Sequence, residues 1–235
     1  MSLPFIYVAV GIESNDGQAH DVRVYFDMTG GKTSPVTQYF WWLTYPVECL
    51  SGDMGQDMSW GTSISSKNDI VYHDFAIQAP QEYIEKNLKI QYGRAFHATT
   101  LTQGVSYATC PHTTCRDMFG ANGQLDRTND SPFRAISNNW PVMALSYSFG
   151  TITQTQQPVV FAFGHTRDPV VEYQRFNNVF EERSLFFHTS FDTIEDAVSS
   201  LSSQVGYFSS IGSLLPAFFL YQGLSERSQS SQCIR

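Results

Sequence analysis

A chain of 235 residues with 14% aromatic and only 15% charged side chains is long enough to bury a core and too apolar to stay disordered. Its formal net charge of −8 leaves no basic surplus to neutralise phosphates, which sets aside nucleic acid and anionic membrane surfaces as partners. The four cysteines, Cys49, Cys110, Cys115 and Cys233, are too few and too scattered for a disulfide-stapled scaffold, and they do not fix the compartment.

Taken in chain order, Phe5 to Ile12 and Val22 to Met28 read as strands. In the second, Val22, Val24, Phe26 and Met28 face one way, and Arg23, Tyr25 and Asp27 the other. Asn15-Asp16-Gly17 between them tolerates positive φ, so a hairpin is expected. The N-terminal run lacks a basic n-region and a small-residue cleavage site, and reads as strand and not as signal peptide. Gln38 to Leu43 is a short aromatic strand or edge, and Cys49 to Asp57 a loop. Ile70 to Ile77 alternates less cleanly; Gln81 to Asn87 reads either as two helical turns or as an extended connection. Tyr92, Arg94, Phe96 and Ala98 mark another strand, and Val105 to Thr109 a short one. From Cys110 to Arg127 the density of Gly, Asn, Asp and Thr predicts a loop.

The stretch from Ser131 to Tyr173 organises the rest. Met143, Leu145, Tyr147 and Phe149 alternate with small residues, as do Val159, Phe161 and Phe163. The connection Gly150 to Pro158 is too short for a crossover helix, so these two strands are expected to pair as a central antiparallel hairpin. Polar and aromatic residues gather at its ends: Arg134, Asn138, Asn139 and Trp140 enter it, and His165, Arg167 and Asp168 leave it before Pro169 ends the ladder. The candidate binding residues are therefore Arg134, Trp140, His165, Arg167 and Asp168. A charge pair at a strand end either holds a loop or binds a polar ligand, and Trp140 is either a core anchor or a stacking platform.

Leu185, Phe187, Thr189 and Phe191 read as a last strand, for roughly eight strands in all, which predicts a mainly β, antiparallel β-sandwich. Asp192-Thr193-Ile194-Glu195 then has a capping-box form with Asp192 as N-cap. Ile194, Ala197, Val198, Leu201 and Val205 make one apolar stripe, the single helix expected, in need of a partner surface. Val205 to Leu224 is uncharged and long enough to span a bilayer. Ser209, Ser210, Gly212, Ser213 and Pro216 dilute it and no Lys or Arg flanks its N-terminal side, so no membrane partner is expected.

Chemistry-bearing motifs are sparse. Cys110-Pro111-His112-Thr113-Thr114-Cys115 could offer three of four zinc ligands, but no second paired spacing exists; free thiols or a local disulfide are expected, and no metal. The six histidines share no ligand spacing, and the nucleotide, serine-hydrolase and zinc-protease signatures are absent, so no cofactor is expected. Asp27, Asp74, Asp117, Asp126, Asp130 and Asp168 could form many carboxylate pairs on paper, too many to specify glycoside chemistry.

Several ordered blocks carry a resemblance. His20-Asp21-Val22-Arg23-Val24-Tyr25-Phe26-Asp27, Val71-Tyr72-His73-Asp74-Phe75, Phe133-Arg134-Ala135-Ile136-Ser137-Asn138-Asn139-Trp140-Pro141-Val142, Val159 to Gly164 and Arg167-Asp168-Pro169 resemble the N-terminal β-sandwich of the secreted, fungal-type glutaminase A family. The resemblance implies a supersandwich-like fold paired with a C-terminal six-hairpin helical domain, an extracellular location, and hydrolysis of L-glutamine to L-glutamate and ammonia. It implies residues 1–191 as an incomplete sandwich truncated at both ends, 192–204 as a linker helix and 205–235 as an apolar tail. Because the helical domain is expected to carry the chemistry, it assigns no catalytic residue here and implies that the chain by itself is inactive. A stand-alone carbohydrate-binding module is the alternative that the aromatic content leaves open.

Overall fold

The computed structural model describes residues 4–29, 42–46, 55–65, 69–86 and 89–200. Its strands are β1 (Phe5–Val10), β2 (His20–Thr29), β3 (Trp42–Pro46), β4 (Met58–Ser65), β5 (Ile70–Ile77), β6 (Glu85–Lys86), β7 (Lys89–Ile90), β8 (Arg94–Thr100), β9 (Val105–Pro111), β10 (Pro141–Ile152), β11 (Val159–Thr166), β12 (Val171–Gln174) and β13 (Phe180–Arg183). They form a five-stranded sheet in the order β1-β11-β8-β5-β4, a four-stranded sheet in the order β3-β2-β10-β9, and two small ribbons, β6-β7 and β12-β13. Pairing is antiparallel throughout except between β2 and β3. The expected antiparallel sandwich is therefore present.

Neither expected hairpin forms. β1 pairs with β11 and β2 with β10, so each connection crosses from one sheet to the other. The two crossings run side by side, joined by a bridge between Glu13 and Gln154 and by the hydroxyl of Thr155, which accepts from the Ile12 amide at 3.0 Å. Alternation fixes only which face of a strand is apolar. Two strands whose apolar faces meet across a sandwich carry the same pattern as two paired neighbours.

The core between the sheets holds Phe26, Met28, Val71, Phe75, Met143, Leu145 and Phe161, all essentially inaccessible. Each outer face is covered as well. On the four-stranded sheet lies α1 (His112–Asn122), whose Cys115 and Phe119 pack on Tyr25, Ala108, Cys110 and Ala144. This corrects the loop expected over Cys110 to Arg127. The polar composition belongs to the solvent side of a helix that turns only two residues, Cys115 and Phe119, fully inward. On the five-stranded sheet, Ile194, Ala197 and Val198 pack with Phe5, Ile70, Tyr72, Phe96 and Ala98. The described part of the stripe on the last helix thus finds its partner on the sandwich itself. β5 is buried along its whole length by this double cover, which is why its sequence alternates poorly.

Two local readings shift. Thr193 caps the last helix in place of Asp192: its hydroxyl accepts the Asp196 amide at 3.0 Å, and residues 194–200 are helical. The strand expected over Leu185 to Phe191 is a 3-10 turn, Phe186–Thr189, that drives Phe187 inward and leaves Phe186 outside. The segment from Gln81 takes the extended alternative, ending in β6 and β7. Of the expected aromatic strand, only the part at 42–43 is described, inside β3; residues 205–224 lie outside the described residues. Among the described residues no helix is long and apolar enough to cross a membrane.

Gly164 on β11 permits the tightest strand contact, since an added Cβ would run into the Pro4 carbonyl and the Phe5 backbone and side chain of the neighbouring strand. Gly164→Ala is expected to cost about 1–3 kcal/mol by pushing β1 off the sheet edge. Urea unfolding checks it, and an unchanged midpoint would show that β1 is not held at this register.

Candidate functional site

β10 begins and β11 ends at the same end of the sandwich, so the fold brings both sets of candidate residues to one pole. They do not meet in one cleft. Arg134 lies against β4, and His165 closes β11; β8 and β5 stand between them, three strand spacings or about 14 Å.

Arg134 is fully engaged with its own chain. Its five N–H groups donate to the two Asp130 carboxylate oxygens at 3.0 and 2.6 Å and to the carbonyls of Asn138 at 2.8 Å, Pro132 at 3.0 Å and Asn139 at 3.2 Å. The guanidinium stands 5.3 Å from the Trp60 ring, and the Trp60 indole N–H donates to the Asp130 carbonyl at 2.7 Å. Phe133 meets the same indole edge-on. Arg134 therefore folds the loop from 130 to 139 onto the edge strand β4, and this geometry leaves it no further donor. Trp140 is half-buried against the inter-sheet core and packs 5.0 Å from the His112 ring at the start of α1.

At the other edge, His165 sits opposite Ala95 at the end of β11. Its ring is mostly buried against Gly93, whose φ of +105° only glycine adopts readily; a Cβ there would lie 2.6 Å from both His165 Nε2 and the Thr166 carbonyl. Burial first, and the Arg167 charge second, push the His165 imidazole down to about 4, against a hydrogen bond to the Tyr92 backbone. The ring is neutral at physiological pH. Arg167 leans over the Tyr92 ring at 6.0 Å, Tyr92 meets Tyr83 edge-on at 5.6 Å, and Tyr83 donates a long 3.5 Å bond to Glu182. Asp168 is exposed and lines an open cleft of about 320 Å³ with Pro169, Glu182, Arg183 and Ser184.

This second cluster is the candidate site: an open, polar cleft lined by Asp168, Pro169, Glu182, Arg183 and Ser184, to which Tyr83, Tyr92 and Arg167 connect through the Tyr83–Glu182 bond. Such a surface can hold a polar ligand through its carboxylates, its arginine and the Ser184 and Tyr83 hydroxyls. Of the residues singled out in the sequence, His165, Arg167 and Asp168 lie in this region; Tyr83, Tyr92, Glu182 and Arg183 join them and were not singled out. Gly93 next to Tyr92 was the available signal. Among the described residues, no group of three His, Cys, Asp or Glu side chains could hold a metal ion.

Two buried constellations lie elsewhere. On the outer face of the four-stranded sheet, Arg116 of α1 pairs with Asp27 of β2 at 2.9 Å under nearly complete burial, and Cys110 is disulfide-bonded to Cys115. Burial first, and the Asp27 carboxylate second, hold the adjacent Tyr25 phenol well above its ordinary range. Between the sheets, His73 Nδ1 and His97 Nε2 lie 2.7 Å apart on directly paired residues of β5 and β8. Both rings are inaccessible; burial presses His73 down to about 3, and burial first and His73 second hold His97 well below the usual imidazole range. In the sequence each occupies a core-facing strand position beside Val71 and Phe75 or beside Ala95, which is the signal that marked them.

A family model described as "Domain of unknown function (DUF5127)" matches residues 1–211. The chain belongs to the DUF5127 family. This DUF5127 chain is 31% identical over 172 residues to "Glutaminase A" of Aspergillus oryzae, covering 73% of the chain and 22% of that protein. It is 26% identical over 184 residues to a probable glutaminase of Arthroderma benhamiae, covering 73% of the chain and 19% of that protein. The resemblance to glutaminase A read from the ordered blocks therefore holds, and the chain spans about a fifth of the length of the curated relatives it matches.

Proposed function

We propose that this DUF5127 chain is an accessory β-sandwich of a glutaminase A-like extracellular amidohydrolase, with L-glutamine hydrolysis carried by a separate helical domain. The observation that carries the reading is the similarity to glutaminase A over 172 residues but only 22% of that protein. The use of side chains agrees with it: Arg134 is engaged in holding a loop and the buried histidines face the core. The buried Cys110–Cys115 disulfide favours an oxidising compartment and so supports an extracellular location.

The purified chain is expected to release no ammonia from L-glutamine above the uncatalysed rate, while a hybrid in which it replaces the matching stretch of the Aspergillus oryzae protein retains activity. Hydrolysis by the chain alone would overturn the accessory role. The Tyr83–Tyr92 pair beside Asp168 and Glu182 favours a second reading, a carbohydrate-binding module. Retention on a glycan array that is lost in Asp168→Ala/Glu182→Ala would select it.

A further inference from the structure

The sequence contains a single Asn-Gly step, Asn122-Gly123, and the fold places it at the C-terminal end of α1. Glycine after asparagine leaves the following backbone nitrogen unshielded, because no Cβ stands beside it. Asn122 is exposed, so water reaches its side chain. Gly123 follows at a φ of +65°, and its N–H donates to the Phe119 carbonyl at 2.6 Å, which closes the last turn of the helix. Arg23 of β2 guards this end. Its Nη1 donates to the Asn122 carbonyl at 2.7 Å, and its guanidinium fills the space where a side chain on residue 123 would stand. It also brings the positive charge that a helix C-terminus favours, since α1 has no basic residue in its own last turn.

Little else holds that turn. Within α1 only Cys115 and Phe119 are buried, Gly120 lies in the last turn, and both the disulfide at Cys115 and the Arg116–Asp27 pair anchor the first half of the helix. A helix end of this kind opens at lower cost than the sheet strands beneath it. We propose that Asn122 is a self-modification site, converted to aspartyl and isoaspartyl forms by the Gly123 nitrogen and water, with Arg23 and the closure of the helix end setting the rate. In the open state the Gly123 nitrogen gives up its proton and bonds to Asn122 Cγ, the side-chain nitrogen leaves as ammonia, and a cyclic imide closes. Water then opens the imide at either carbonyl, and nothing is oxidised or reduced. The closed helix blocks the first step. There the Gly123 N–H is held by Phe119, and the Asn122 Cα–Cβ bond tilts toward the helix N-terminus, away from the attacking nitrogen. Both products place a negative charge at the end of the helix that disfavours one. The isoaspartyl form also lengthens the backbone between Phe119 and Gly123, so the capping bond is lost and the cover over Tyr25 loosens.

Timed incubation of the full chain in mildly alkaline buffer tests the site, with the tryptic peptide 117–127 read by mass spectrometry for the change from amide to acid. Conversion is expected to be fastest in chain unfolded by guanidinium and about tenfold slower in the folded parent, because only the open fraction reacts. Arg23→Ala is expected to convert about fivefold faster than the parent, having lost one charge-assisted hydrogen bond at a half-exposed site. Gly120→Ala is expected to convert about fivefold slower, since a Cβ there meets open space and alanine strengthens the turn. Equal rates in folded and unfolded chain overturn the gating. A folded parent that stays unconverted over about a hundred half-lives of the unfolded chain overturns the site. Arg23→Ala at the parent's rate overturns the role of Arg23. If that variant does not fold, Gly120→Ala decides, and conversion at the parent's rate overturns control by the helix end.

Discussion

Lowering the pH from 7.5 to 5 is expected to remove about 4 kcal/mol of folding stability through His73 and His165, with a further loss from His97, a large share of the stability of many domains. His73, His97 and His165 all have folded pKa values depressed by burial, to about 3, well below normal, and about 4. A depressed imidazole is neutral in the folded state, so its stability contribution is complete above the unfolded value near 6.5. It is lost as the pH falls below that value, because the unfolded chain takes up the proton and the fold refuses it. At pH 5 His73 and His165 have each lost about 2 kcal/mol, and His97 loses stability in the same direction. Urea unfolding at pH 7.5, 6 and 5 measures the slope.

The His73–His97 pair sharpens this prediction. Two neutral imidazoles hold two N–H groups, and one is used in their mutual bond. Whichever ring donates, one donor and one acceptor remain, and neither His73 Nε2 nor His97 Nδ1 has a hydrogen-bond partner. Buried polar atoms without partners are destabilising, whereas replacing both members by apolar side chains of similar volume is close to neutral or better. His73→Leu/His97→Leu is therefore expected to be at least as stable as the parent at pH 7.5, and to lose more than half of the acid sensitivity. Each single substitution is expected to be less stable than the double. An unchanged pH slope in the double variant would show that acid sensitivity lies elsewhere.

Arg134→Lys is expected to lower stability by about 2–4 kcal/mol, because at least two of its five acceptors lose their donor. For a domain of this size that is roughly 10 °C in melting temperature. Lysine keeps the charge but has three donors on a flexible stem, and cannot reach two carboxylate oxygens and three carbonyls together. Asp130 is as buried as its partner and would lose the fork that now satisfies both of its oxygens. Arg134→Met/Asp130→Leu is expected to recover part of the loss, since no buried charge is then left unpaired. Differential scanning calorimetry of the three proteins decides. A lysine variant within 1 °C of the parent would mean that the 130–139 loop is held by Trp60 and Phe133 alone.

Trp60 also illustrates what the chain could not disclose. It stacks on Phe75 at 6.1 Å and lies beneath Arg134, more than seventy positions further along the sequence. No local pattern links an indole on an edge strand to an arginine in a distant loop. The tyrosine pair of the cleft is hidden in the same way: Tyr92 precedes β8, Arg167 follows β11, and only the β8–β11 register brings them together. α1 was missed because its composition is that of a loop, and its burial depends on Asp27, Tyr25 and Cys110 being delivered by β2 and β9.

By itself the sequence determined most strands of the two sheets and their apolar faces, the last helix with its stripe, and the ordered blocks that tie the chain to glutaminase A, because each is encoded by neighbours within a few residues; it did not mark β4, β12 or β13. Only the tertiary structure decided which strands pair. A period of two specifies a buried face and not a partner, so β10 could face β11 across the core and still read as its hairpin mate. The same long-range pairing set Arg134 against Asp130 and Trp60, pressed His73 onto His97, and left the β12–β13 ribbon outside the sandwich with its phenylalanines in water.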